Sequence, residues 1–382
     1  MCCDSHPSIQ CETTDDCNLH FGGACKAAPT GHQWCSYPDT SCPSGMRYSD
    51  QQVGDGVSGQ CVAVPVAISA DAGIDAVPPA PAVSCAALPH TCGLMGNDDC
   101  CNSPLVTGGT YFRSFDVAND FLSGDKTAPA TISSFRLDKY EVTVGRFRAF
   151  VEGGQGTTLN PPVTGSGANL YIPGSGWEAA WNQFLPANKA DLITRLRSCA
   201  TPDAGSYLTY TETPASDENL PINCVDWYTA MAFCAWDGGF LPTEAEWNYA
   251  AAGGDQQRAY PWSDPPKSTM IDDTYANYNC TGDGKSGCDF LDILAVGMRP
   301  KGDGRWGQSD LSGNLMEWTL DIEAPYVTTC NDCAYLGRPD ERVIRGGDFF
   351  TDPIQYLRAG TRRSAPDAEY GLDRGIRCAR AP

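Results

Sequence analysis

At 382 residues the chain is long enough for one large core and a smaller companion. Its formal net charge of -21 excludes nucleic acid and an anionic membrane surface as favoured partners, because both would repel it. No run of about 20 apolar residues could span a bilayer, and no charged-then-apolar leader opens the text. The expectation is a mature part or a start placed too late, with membrane attachment only through a lipidated Cys2 or Cys3.

The 20 cysteines set the compartment. Eight fall within residues 1–62, four are Cys85, Cys92, Cys100 and Cys101, and eight lie beyond. That density suits an oxidising, extracytoplasmic environment, secreted, periplasmic or at the cell surface. Zinc would need CxxC pairs at ligand spacing, and only Cys330 and Cys333 form one.

In chain order, residues 1–62 alternate cysteines with Gly, Pro, Asp and Ser around a single tryptophan, Trp34. So small and polar a segment needs disulfide staples, each stabilising by about 2–4 kcal/mol, and is predicted to be an adhesive or spacer module. Eight cysteines allow about 105 pairings, and sequence does not choose among them. Residues 63–84 lack aromatics and a strong helical period, which marks an Ala/Pro linker. A cysteine-bearing lead-in covers 85–101, and a large domain covers 102–382 with eight of the nine tryptophans.

Within that domain, three helices are predicted: Val142 to Glu152, Asp226 to Trp236 and Glu244 to Ala252. Each precedes a glycine pair able to take the left-handed turn that ends a helix. Thr243 and Glu246 form a capping box at the third. Between them, closely spaced Gly, Pro, Asn and Asp predict short strands and ordered loops. The expected class is α+β with little regular secondary structure.

All four histidines, His6, His20, His32 and His90, precede residue 102. Unless the front modules reach in, the large domain has no Ser-His-Asp or Cys-His catalysis, and no histidine-ligated zinc or iron. Two GxGxxG strings, Gly282 to Gly287 and Gly302 to Gly307, open no helix after a strand. They are predicted to be turns, not nucleotide loops.

Seven landmarks follow in order: Phe135 to Thr143 (FRLDKYEVT), Leu220 to Trp227 (LPINCVDW), Leu241 to Trp247 (LPTEAEW), Tyr260-Pro261-Trp262, Gly313 to Trp318 (GNLMEW), Arg345-Gly346-Gly347 and Gly375 to Cys378 (GIRC). Together they resemble the formylglycine-generating enzymes, also called sulfatase-modifying factors. The resemblance covers about 102–382 and implies that family's C-type-lectin-related α+β fold.

It also implies structural calcium, held by hard oxygen ligands. One site would use the side chains of Asp310 and Glu317 with the carbonyls of Gly313 and Leu315. A second would use Asn277, the carbonyl of Tyr278 and, as a third ligand, Asp289. A bridge from Cys234 to Cys378 is implied, while both partners of a second family bridge are replaced, by Ala251 and Thr361. Cys199 with Cys224 and Cys280 with Cys288 are candidate extra pairs. Cys330 and Cys333 are expected to bridge locally, with a redox or metal role as the alternative.

The family's oxidation uses two copper(I)-binding cysteines just past the RGG turn. Those positions here are Thr351 and Tyr356. A hydroxyl and a neutral phenol do not replace two thiolates on a soft ion, so copper is not expected. The predicted pocket is Asp348, Thr351, Asp352, Tyr356 and Arg358, with Arg362 and Arg363 nearby. The favoured expectation is a non-oxidising domain that binds a peptide, glycan or protein partner. The alternatives are a divergent metal-dependent oxidoreductase acting on a protein or peptide, and formylglycine synthesis through other cysteines.

Overall fold

The computed structural model describes residues 11, 17, 24–27, 33–42, 46–49, 62, 82–86, 88–119, 125–199, 207–326, 329–337 and 341–382. Cys2, Cys3 and most of the predicted linker lie outside the described residues. The chain divides into two units, Met1–Asp75 and Ala76–Pro382. Among the described residues no helix is long and apolar enough to cross a membrane.

In the first unit β1 (Ala24–Ala27), β2 (Gln33–Pro38) and β3 (Met46–Tyr48) form an antiparallel meander. Trp34, Tyr48 and Val62 supply a very small apolar cluster. Disulfides Cys11–Cys25 and Cys17–Cys35 therefore carry much of the constraint on this unit. The sulfurs of Cys11, Cys17 and Cys35 lie close together, but they are bridged and not free thiolates.

The second unit is built around a four-stranded sheet in the order β10 (Arg363–Pro366), β9 (Glu341–Arg345), β8 (Met316–Ile322), β11 (Arg374–Gly375). Its last pair is parallel and the others antiparallel. Every residue of β8 is buried, because helices cover it. Trp318 turns toward Val225, ahead of α3 (Trp227–Trp236), and its indole donates to that carbonyl. Glu317, one residue back, faces α4 (Glu244–Ala251) and accepts from the Trp247 indole. A second sheet joins β12 (Ala379–Arg380), β7 (Phe135–Leu137) and β4 (Leu105–Val106), and β5 (Gly109–Phe112) pairs with β6 (Pro129–Ile132).

The helices begin where side chains satisfy free amides. Thr143 caps α1 (Val144–Glu152) and Asp226 caps α3. At α4 the Thr243 hydroxyl accepts from the Glu246 amide at 3.0 Å, and the Glu246 carboxylate accepts from the Thr243 amide at 2.8 Å. The fourth helix, α2 (Lys189–Leu196), was not expected; Asn188 caps it, and only Leu192 and Leu196 are buried.

Two cores result. One packs Phe147, Phe150, Phe233, Trp227, Trp318 and Ile376 between α1, α3 and the sheet. The other packs Trp247 and Ala250 against Val106, Phe135 and Leu137. The cysteine lead-in belongs to this unit: Cys85–Cys101 and Cys92–Cys100 are bridged, and the Ser84 amide donates to Asp237 at 2.7 Å. Asp237 is also held by Arg146 and Arg380, which share Asp138 on their other side. Four buried charges thereby fasten α1, the end of α3 and the C-terminal strand together.

Candidate functional site

β9 ends in Arg345-Gly346-Gly347. The two glycines have φ of 98° and 70°, so they reverse the chain in the left-handed region. A Cβ on Gly347 would lie 2.7 Å from Leu357, so the turn also needs the missing side chain. Arg345 anchors the approach: it ion-pairs with Glu244 and donates to the Thr361 carbonyl at 2.6 Å.

Beyond the turn, Asp348 and Thr351 close on each other. The Thr351 hydroxyl donates to Asp348 Oδ1 at 2.8 Å and accepts from the Asp348 amide at 3.0 Å. Asp348 Oδ1 also accepts from the Phe350 amide at 2.9 Å. Burial, helped by the Asp373 carboxylate, pushes the Asp348 carboxyl up to about 6 against the Thr351 hydrogen bond. Tyr356 is half-buried, with the Arg363 guanidinium 4.6 Å from its ring centroid. Asp352 is exposed. Arg358 is set apart from this group: it is buried and pairs with Asp116 at 3.0 Å.

The neighbouring cleft, about 290 Å³, is lined by Phe350, Tyr370, Leu372, Glu369, Asp373 and Arg374, with Cys199 at its wall. Tyr207 packs on Phe350 at 5.3 Å between centroids. The sequence reading missed residues 369–374; the available signal was their mix of aromatic and charged groups directly before the GIRC motif. From Cys85 onward every cysteine is bridged, as Cys85–Cys101, Cys92–Cys100, Cys199–Cys224, Cys234–Cys378, Cys280–Cys288 and Cys330–Cys333.

The residues expected at calcium fall in two adjoining loops. Glu317 is committed: Arg377 donates to both its oxygens at 2.6–2.9 Å, and the Trp247 indole donates at 2.6 Å. Asp310 accepts from the Gly297 amide at 2.6 Å. Glu141, unnoticed as a site residue, accepts from the Leu315 amide at 3.0 Å and the Asn314 side chain at 2.7 Å. Burial and the neighbouring carboxylates push Glu141 well up, and burial takes Asp310 up to about 6. Three carboxylates thus face one guanidinium.

Gly313, at φ 90°, lets the loop approach so closely that a Cβ there would lie 2.2 Å from the Asn277 carbonyl. Asn277 donates to the Asp292 carbonyl at 2.6 Å and to Asn314 at 3.0 Å, while its own buried Oδ1 has no hydrogen-bond partner among the described residues. The Tyr278 carbonyl accepts from Thr281. Asp289 is exposed and caps the short turn Phe290–Asp292, whereas Asp292 is fully buried beside Asn277.

Residues 98–382 match the model of the sulfatase-modifying factor enzyme 1-like domain. The formylglycine-generating enzyme of Streptomyces coelicolor is 30% identical over 297 residues, 71% of this chain and 87% of the relative. The inactive C-alpha-formylglycine-generating enzyme 2 of Mus musculus is 27% identical over 288 residues, 72% of this chain and 84% of the relative. Among solved structures, PvdO from Pseudomonas aeruginosa aligns with a TM-score of 0.49 and 21% identity, over 73% of this chain and 93% of that one. With its ordered motifs, its α+β architecture and a family match over three quarters of its length, the chain belongs to the sulfatase-modifying factor enzyme 1-like domain family.

Proposed function

We propose that the domain lacks its family's copper-dependent formylglycine synthesis and that the cleft beside the RGG turn binds a peptide segment in an extracytoplasmic compartment. One observation carries this reading. At the two positions where the resemblance puts copper thiolates stand Thr351, whose hydroxyl is spent on Asp348, and Tyr356, whose ring is covered by Arg363. These residues do not fit copper(I), and the bridged cysteines leave no thiol from Cys85 onward to replace them. Phe350, Leu372 and Tyr370 offer apolar surface to a ligand, and Glu369, Asp373 and Arg374 offer charge. The disulfides support a compartment in which bridges persist.

Full-length protein supplied with copper(I) and a Cys-x-Pro-x-Arg peptide is expected to yield no aldehyde product by mass spectrometry. Turnover would overturn the proposal. The approach of Asp373 to Asp348 favours a second reading, a hard metal at these carboxylates serving a divergent oxidoreductase. Metal analysis of purified protein separates the two, since a redox metal lost on Asp348→Ala would favour the enzyme.

Calcium is proposed as a structural ion. Asn277 Oδ1 and the Tyr278 carbonyl would hold it, beside the Asp292 main-chain carbonyl that accepts from Asn277. Asp310 and the Gly313 and Leu315 carbonyls would hold another, the excess carboxylate charge around Glu141 favouring a cation. The ion supplies positive charge that rigidifies these loops.

A further inference from the structure

We propose that Cys330–Cys333 is a thiol–disulfide exchange site that accepts two electrons from a dithiol. The site stands apart from the cleft. Cys330 and Cys333 close a ring with a sequence separation of 3, whereas Cys234–Cys378 spans 144. A ring that short constrains the unfolded chain little, so opening it removes little stability.

The loop is held without the bridge. The Thr131 amide donates to the Cys330 carbonyl at 2.8 Å, and the Asp332 amide to the Thr131 carbonyl at 2.9 Å. Ser133 donates to both Asp332 carboxylate oxygens, through its amide at 2.6 Å and its hydroxyl at 2.7 Å. The Tyr335 amide donates to Asp321 at 2.8 Å. A bridge that is redundant for holding its own loop is free to serve chemistry.

The two sulfurs are unlike. Cys330 is buried, while Cys333 is half-buried and lines a small cavity with Arg113, Asp321 and Tyr326. Arg113 Nη1 donates to Cys333 Sγ at 3.5 Å, and its guanidinium rests 4.4 Å from the Tyr326 ring centroid. A cation on one sulfur stabilises that sulfur as thiolate and improves it as a leaving group.

A substrate thiolate attacks Cys333 Sγ, the bond to Cys330 breaks, and its electron pair goes to Cys330 Sγ, which takes a proton. The substrate's second thiolate then attacks the substrate sulfur of the mixed disulfide. Cys333 leaves as a thiolate facing Arg113. The substrate has lost two electrons and two protons, and the protein holds a dithiol, which a small-molecule disulfide reoxidises by the reverse exchange.

Full-length protein is titrated in glutathione redox buffers, free thiols are alkylated, and each bridge is read by peptide mass. Cys330–Cys333 is expected to open at a reduced-to-oxidised glutathione ratio at least tenfold lower than the Cys280–Cys288 bridge, whose Cys288 is exposed, with native circular dichroism retained. Arg113→Gln should raise that midpoint about tenfold, the effect of one unit in thiol acidity. A synthetic peptide carrying two cysteines should be oxidised by the wild type and not by Cys330→Ser/Cys333→Ser. The proposal is overturned if Cys330–Cys333 opens no earlier than Cys280–Cys288, or if folded Arg113→Gln leaves the midpoint unmoved. Should Arg113→Gln fail to fold, the wild-type comparison decides alone.

Discussion

Asp348 and Thr351 illustrate how one hydroxyl can satisfy two buried groups of a single neighbour. A threonine hydroxyl can donate and accept at once, and here it does both with a single neighbour, so the buried amide and carboxylate of Asp348 are satisfied internally. Thr351→Val removes the hydroxyl while keeping the shape. It leaves a buried amide and a carboxylate short of partners, which should cost about 1–3 kcal/mol in urea unfolding. Thr351→Ser should cost far less. Arg358 shows the limit of reading nearby residues as a pocket: its distance in sequence from Tyr356 is small, yet its charge is spent on Asp116, 242 positions away.

At the scale of elements, α4 couples a local signal to a tertiary penalty. Its capping box was readable from Thr243 and Glu246 alone, because the spacing of three residues defines the geometry. Burial of the same Glu246 was not readable, and it pushes the carboxyl up to about 7 despite bonds from Thr243 and Asn169. The folded state therefore binds this proton more tightly than the unfolded chain does. Its contribution is fully present below about 4.5 and is lost as pH rises through about 7, up to about 3 kcal/mol. Glu246→Gln keeps a capping group without the charge. Urea midpoints between pH 4.5 and 8 should fall less steeply for the variant than for the wild type. A variant curve parallel to wild type would refute the assignment.

For the whole molecule, the buried charge cluster of Arg146, Asp138, Asp237 and Arg380 makes the segment before residue 102 part of the domain, through Ser84 and its bridged neighbours. A chain of 82–382 should unfold cooperatively at the same temperature as the corresponding transition of the full protein. A chain of 102–382 should melt several degrees lower, because Asp237 and Arg146 lose Ser84. A calcium chelator should lower the melting temperature of the full chain by about 5 °C, the shift expected for an ion present at about 100 times its dissociation constant. Added calcium should restore it, and Asn277→Ala should shrink the difference.

What the sequence determined by itself were the features written within a few residues: three helices, the capping box of the third, the glycine turns that end them, and the ordered motifs of the family. Capping and left-handed turns depend on neighbours three or four positions apart, so they are visible in a string. Tertiary structure alone decided which charges meet. Glu317 is neutralised by Arg377, 60 positions on. Asp373 approaches Asp348, and Arg113 reaches Cys333 across 220 positions. Electrostatic pairing acts through space, and only the packed core brings such distant positions to within a few ångströms.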